Sequence, residues 1–526
     1  MTGEVQVDVD HEILHSLTVG DILRQNSRSY PNQVAVICDA GQYTYPELDE
    51  RVNRLANVYR SCGVGPGGRI LWLGQNSHRL LEAILAAAKC EAVVCPANWQ
   101  AKAQELGTLI GDVEPGVVIW QKSDMEEKVA DVKAGYPQTA VWIEHDGTGE
   151  NSYEHLLAEA GTDDPESYVD HASPLLLMYT AAFHGQPNGA LLSQLGIMLH
   201  GMAIAAQSGI SSDYVYLNCG PMYRMGVLWN TLATLHMGGT NVFIPRADPK
   251  QICEAIQQHR CTGALVMEPT LSEVISFNRT AKYDLTSLRS RPGNAEWSAM
   301  TTRDPHYREQ SSSTYGQTEV TGLLTQSAVD VVGLHGRTAP VAQLRIFDDE
   351  GKEVAVGETG EIVARGPTVM MGYFRKADLN AERQRGGWHR TNDLGRREVD
   401  GSITFVGSKG RLIKSGIENL YPAEIEACLR RHPGVVSAVV IGVPDAESGG
   451  QAVKAIVVLE AEAAATADDL IEFCHQDLAR HKVPRSVDFV SALPQRGAMI
   501  DYEALDRDHG GGGYPGSSLF NKMTGL

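Results

Sequence analysis

Three short apolar runs between residues 34 and 96 are separated by two longer amphipathic runs, and this alternation limits the chain to a parallel α/β layout. The runs Val34–Cys38, Arg69–Leu73 and Ala92–Pro96 have strand length. The stretch from Thr44 towards Tyr59 and the stretch Arg79–Lys89 carry helical spacing. Parallel strands need a long crossover between them, and a helix supplies it. A further helix is expected from Thr18 to Ser27, with Thr18 and Thr44 placed as caps. The pattern resumes with a strand at Pro174–Met178, an apolar helix at Val227–Met237 and a strand at Thr262–Met267.

The 526 residues suffice for two to four domains, and a hydrophobic content of 43% supports a large core. Asp and Glu total 65 against 45 Lys and Arg, a formal net charge of -20, which argues against nonspecific nucleic-acid binding. The first residues, MTGEVQVDVDHEILHS, are acidic and lack the apolar centre of a secretory signal. No run has the length of a membrane span. The nine cysteines are scattered with no CxxC, so reduced thiols in a cytoplasmic protein are expected.

Four stretches carry chemistry. Tyr179–Ser193 reads YTAAFHGQPNGALLS, a turn-rich loop behind a strand. Ser313–Glu319 reads STYGQTE, Trp388–Gly395 reads WHRTNDLG, and Val406–Ala427 reads VGSKGRLIKSGIENLYPAEIEA. In this order they resemble the adenylate-forming (ANL) superfamily, in its acyl-CoA synthetase branch. The resemblance runs from about residue 18 to residue 505. It implies an α/β fold with a large N-terminal region, residues 1–409, of two doubly wound subdomains plus a small β-barrel-like one. A small mobile α/β domain would follow at 410–506, then a Gly-rich flexible tail at 507–526.

The resemblance also implies roles. Gly293, Asn294 and Ala295 would pass along adenine, and Tyr315 would offer it a ring face beside Gly316. Thr318 would reach the α-phosphate, and Asp393 would accept both ribose hydroxyls, a task suited to a carboxylate. Glu319 would help hold magnesium, since hard cations take oxygen ligands. Tyr223 and Arg224 would flank the acyl pocket, although Arg224 serves a structural salt bridge equally well. Gly410 would be the hinge. Lys414 and Gly416 belong to the loop that meets CoA, where bare backbone at Gly416 would line the pantetheine tunnel.

Two departures decide the function expected. The phosphate-gripping loop keeps Tyr179, Thr180, Gly185, Pro187 and Gly189. The family's Ser, Gly, Thr, Thr and Lys are replaced by Ala181, Ala182, Phe183, His184 and Asn188. A phosphate cradle needs hydroxyl donors and a cation. Near the C-terminus Met499 stands where the family has its catalytic lysine. Losing one such charge-stabilising group costs about 2.7–4 kcal/mol of transition-state stabilisation. Both losses strike the attack of a carboxylate on ATP. Thiolation of a preformed adenylate needs neither group.

The pattern is therefore similar to the non-adenylating CoA ligases of bacterial platensimycin and platencin biosynthesis. It implies acyl-adenylate plus CoA giving acyl-CoA plus AMP, with a bulky diterpenoid acyl group. It also implies a separate adenylating enzyme as partner, no permanently bound cofactor, and no nucleic-acid or membrane partner. The alternatives are a complete ATP-dependent synthetase in which His184, Arg411 or Arg496 replaces the lost cations, and a catalytically dead adenylate binder. A domain serving a carrier protein fits less well, because no carrier-like segment follows residue 505.

Overall fold

Helix α1 (Val19–Ser29) starts where a threonine can satisfy the free amides of a first turn. Thr18 accepts from the Asp21 amide while the Asp21 carboxylate accepts from the Thr18 amide, a reciprocal capping box. After β1 (Val34–Cys38) and β2 (Gly41–Thr44), Thr44 and Glu47 repeat the device at α2 (Tyr45–Ser61). The computed structural model describes residues 14–135, 140–166, 168–180, 188–267, 270–291, 294–307, 311–348, 350–408, 413–415, 418–420, 422–445, 450–461, 463–496 and 499–512.

The next elements are β3 (Arg69–Leu73), α3 (His78–Cys90), β4 (Val93–Pro96), α4 (Ala103–Val113), β5 (Val117–Trp120) and β6 (Val141–Glu144). With β7 (Pro174–Thr180) and β8 (Asn188–Ser193) the strands form a sheet in the order β8-β7-β4-β3-β5-β6, extended beyond β8 by the short antiparallel strand Gly372–Tyr373. Its β3–β4, β3–β5, β5–β6 and β4–β7 pairs are parallel, as the crossover spacing requires, and β7–β8 is antiparallel. Strand β1 does not join this sheet, contrary to the simple reading of the first three runs. Only Asp39 and Ala40 separate β1 from β2, so the two form a hairpin. They sit at the edge of a second sheet.

That sheet adds β9 (Val215–Asn218), β10 (Thr240–Phe243) and β11 (Gly263–Ala264) in the order β11-β9-β10-β1-β2. The expected strand at Thr262–Met267 is thus limited to two residues. Helices α5 (Gln194–Ser208) and α6 (Met225–His236) contribute to the core between the sheets, where Leu55, Trp72, Leu81, Ile197 and Leu228 are buried together. Leu71, Leu73 and Trp120 pack on the opposite face of the first sheet.

A third, antiparallel group contains β12 (Gln343–Phe347), β13 (Thr359–Arg365), β14 (Trp388–Arg397) and β15 (Ile403–Ser408). The C-terminal part opens with a hairpin of β16 (Ile413–Ser415) and β17 (Glu418–Leu420). Helix α7 (Pro422–Leu429), the long pair β18 (Val435–Asp445) and β19 (Gly450–Leu459), α8 (Ala467–Asp477) and β20 (Ser486–Phe489) follow. Thr466 caps α8, its side chain accepting from the Asp469 amide.

One expectation fails at the C-terminus. Residues 507–512 do not begin a flexible tail. Helix α9 (Tyr502–His509) runs through Arg507, with Asp501 capping its start and Gly510 at φ +74° ending it. His509 Nδ1 lies 2.8 Å from Asp488, and the Gly512 amide donates to the Gly442 carbonyl at 2.8 Å. These bonds dock the segment on the C-terminal sheet. The remaining tail, from residue 513, lies outside the described residues.

Candidate active site

A cavity of about 1310 Å³ opens where the second sheet, the β12–β15 group and the C-terminal hairpin converge. Its lining includes Tyr315, Thr318 and Asp393 on one side and Tyr223, Trp229 and Met267 on another. Lys414, Glu418, His481 and Lys482 close it from the C-terminal part.

Tyr315 is buried and stacks on Phe405, with centroids 5.4 Å apart and rings tilted by 20°. Its hydroxyl donates to Asp393 Oδ2 at 2.8 Å. Burial raises the phenol's pKa well above its usual value, which keeps it a donor. Gln317 Nε2 donates to the same oxygen at 3.1 Å. Asp393 is therefore a positioned acceptor facing the cavity. Before it, Asn392 adopts φ +62°, a region asparagine tolerates, which accounts for its standing where the family has glycine. Gly316 is required by packing: a Cβ there would lie 1.9 Å from the Gly322 carbonyl oxygen.

Thr318 starts a short 3₁₀ turn. Glu319, next to it, is buried and accepts from Tyr373 Oη at 2.9 Å and Thr180 Oγ1 at 3.3 Å. Burial raises its pKa, favouring the neutral carboxyl. Both hydroxyls donate to one carboxylate oxygen, Oε1. Asn188 is buried at the start of β8, paired across the hairpin with Thr180.

Arg224 precedes α6, lines the cavity and forms an ion pair with Glu418 of the β16–β17 hairpin. Burial pushes the Lys414 ammonium down, Asp393 acts against that shift and Arg224 adds to it. His481 is pushed down to about 4 by burial, with Lys482 and Arg224 adding to it. Lys482 reaches Glu424 at 2.6 Å and Glu105 of α4 at 3.3 Å. Burial alone would lower its pKa, but the two carboxylates more than offset this.

Strands β18, β19 and β20 have two differently used faces. Ala438, Val440, Ala455 and Val457 pack with Ile413 and Leu420 of the hairpin. Val439, Ile441 and Ile456 pack instead with Leu493, Ile500 and Leu505. The hairpin that lines the cavity and the segment holding Met499 therefore occupy opposite faces of one sheet.

The profile described as AMP-binding enzyme matches residues 23–374, and that of the AMP-binding enzyme C-terminal domain matches residues 424–498. The chain belongs to the AMP-binding enzyme family. It is 32% identical to indoleacetate–CoA ligase of Aromatoleum aromaticum over 479 residues, covering 88% of this chain and 92% of that one. It is 32% identical to a feruloyl-CoA synthase of an Amycolatopsis species, covering 90% and 95%. Its fold matches a double mutant of o-succinylbenzoate CoA synthetase (MenE) from Bacillus subtilis, bound with its product analogue OSB-NCoA. The TM-score is 0.77 at 23% identity, covering 93% and 98%. The chain is thus an enzyme of the CoA ligase class.

For this AMP-binding enzyme the structure brings Tyr315, Gly316, Thr318, Glu319, Asp393, Tyr223, Arg224, Lys414 and Thr180 to one region. Asn294 and Ala295 are not brought there. Both are exposed, and Asn294 caps a short helix by accepting from the Trp297 amide at 3.0 Å. His184, Gly185, Gly293, Gly410 and Gly416 lie outside the described residues. Sequence reasoning assigned no role to Gln317, Phe405, His481 or the bridging Lys482. None of these belongs to a motif position with a chemical reason attached. Among the described residues no helix is long and apolar enough to cross a membrane.

Proposed function

We propose that this AMP-binding enzyme performs the thiolation half-reaction alone, converting a preformed acyl-adenylate and CoA into acyl-CoA and AMP. The CoA sulfur attacks the acyl carbonyl carbon, the bond from that carbon to the phosphate oxygen breaks, and AMP leaves with the electron pair. The thiol proton passes to solvent. Asp393, fixed by Tyr315 and Gln317, binds the ribose hydroxyls. Thr318 orients the α-phosphate, and Lys414 lies on the same side as the departing nucleotide. The adenylate itself comes from a separate enzyme.

The observation that carries this reading is the use of the two faces of the C-terminal sheet. The hairpin with Lys414 is turned to the cavity, while the opposite face carries a segment with methionine at the lysine position. Asn188 removes the second cation from the phosphate loop. ATP–pyrophosphate exchange tests it directly: no exchange above background is expected with any acid. A rate comparable to the CoA-transfer rate would favour a complete ATP-dependent synthetase, the second reading, which kinship to CoA ligases supports.

The acyl group is a bulky acid of diterpenoid size. The part of the cavity away from Asp393 is lined by Tyr223, Met225, Val227, Trp229, Val266 and Met267, an apolar wall suited to a hydrophobic acyl group. Indoleacetyl- and feruloyl-adenylates, which carry the acyl groups in the two relatives' names, are the smaller comparison substrates. A preference for them would remove this part of the proposal.

A further inference from the structure

Cys38, Asp39 and His78 meet at a point that the proposed reaction does not use. Cys38 ends β1, Asp39 opens the turn to β2, and His78 is the first residue of α3. One ligand atom from each lies within 4.8 Å of the other two. Among the described residues this is the one group of three such donors. His78 is 0% exposed, and neither ring nitrogen has a hydrogen-bond partner. Leaving a buried polar atom unsatisfied is unfavourable. The neighbouring Tyr43 ring, 5.6 Å away between centroids, does not satisfy either nitrogen. A bound ligand would.

We propose that Cys38, Asp39 and His78 form a binding site for a borderline-soft divalent cation, zinc foremost, with a fourth position open to water. Thiolate, imidazole and carboxylate are zinc's donor set, and a sulfur ligand disfavours magnesium and calcium. Tetrahedral zinc with the usual bond lengths places neighbouring ligand atoms roughly 3.5 Å apart. The three side chains need only close in by about an ångström or so to reach that spacing. Two anionic ligands neutralise the cation. The nearby Arg79 does not compete for Asp39, because it is engaged by Glu154 at 2.9 Å. Asp39 is exposed, so the cation enters from solvent without unfolding. The β1–β2 hairpin belongs to the second sheet and α3 to the first, so the metal would staple the two sheets together.

The test uses untagged full-length protein, treated with a chelator and then titrated with Co²⁺. One equivalent should bind, with a thiolate-to-cobalt charge-transfer band and the visible bands of a tetrahedral ion. Zn²⁺ should displace it and raise the melting temperature. Cys38→Ser should abolish the charge-transfer band. His78→Ala removes a core side chain, so Asp39→Asn, at an exposed position, carries the second arm. Loss of an outer-shell partner alone weakens metal binding about 10–100-fold, so loss of this ligand should weaken it by at least that much. Absence of saturable binding to the wild-type protein would overturn the proposal. So would a charge-transfer band that survives in Cys38→Ser, which would place the cobalt on another cysteine.

Discussion

Lys482 of the C-terminal part stands 3.3 Å from Glu105 of α4, bridging the two parts of the enzyme at the cavity wall. With Glu424 at 2.6 Å and the Arg224–Glu418 pair, it holds the β16–β17 hairpin against the site. Lys482→Met should leave two carboxylates without their shared cation. Each hydrogen bond to a charged group is worth about 1.5–3 kcal/mol, so kcat/KM for CoA should fall by at least about tenfold. Affinity for an acyl-sulfamoyl adenosine should barely change. Steady-state kinetics beside calorimetry check this, and equal loss of both would show that the lysine supports the fold as a whole.

Asp393→Ala should weaken binding of the same adenylate mimic by about tenfold or more, from the loss of acceptors to two hydroxyls at about 1.5–3 kcal/mol each. Tyr315→Phe should have a smaller effect, because it removes the bond that positions Asp393 and leaves the acceptor itself. Calorimetry on both variants gives the order. An unchanged dissociation constant for Asp393→Ala would put the ribose elsewhere.

Magnesium-ATP should bind far more weakly than AMP or the acyl-sulfamoyl adenosine. Asn188, where the family has lysine, supplies no charge for the β- and γ-phosphates. Competition against a fluorescent adenylate mimic measures the ratio. Equal or tighter binding of magnesium-ATP would contradict the account of the degenerate loop.

Acid should destabilise the fold through its buried histidines. Burial pushes His389 down to about 4 and His200 down to about 3. His200 Nε2 accepts a bond from the Leu323 amide at 2.9 Å, which a protonated ring could not do. Above about pH 6.5 both states are neutral and the stabilisation is complete. Below it the unfolded chain takes up protons that the native state refuses, so stability falls until the folded pKa values are passed. The slope per group is about 1.4 kcal/mol per pH unit. Urea midpoints between pH 7 and pH 4, compared with those of His389→Gln, should show a shallower decline in the variant.

Much of this architecture could be read from local chemistry. Thr18, Thr44 and Thr466 cap the helices they precede, since a cap needs only a hydroxyl and a following acid. Tyr315 and Asp393 were legible as partners of one nucleoside through their motifs, although their mutual hydrogen bond spans 78 residues of chain and has no local signal. The sheet that β1 joins depends on β10, roughly two hundred residues away, so crossover spacing could not assign it. Asn294 looked like part of a ligand loop because a helix cap and a nucleotide turn use the same small polar residues. The docking of Gly512 on Gly442 was hidden because glycine-rich composition reports backbone freedom and not the partner that removes it. Lys482 gave no signal, because a bridging lysine is defined only by carboxylates that the fold brings to it.

The central claim is that adenylation is lost while thiolation is kept. The most direct measurement gives one enzyme preparation two substrate sets: synthetic acyl-adenylate with CoA, and the free acid with ATP, magnesium and CoA. Thioester is followed by chromatography in both. The account predicts rapid acyl-CoA formation from the adenylate and none above background from the acid and ATP. Comparable rates from both sets would contradict it, and so would no thioester from either.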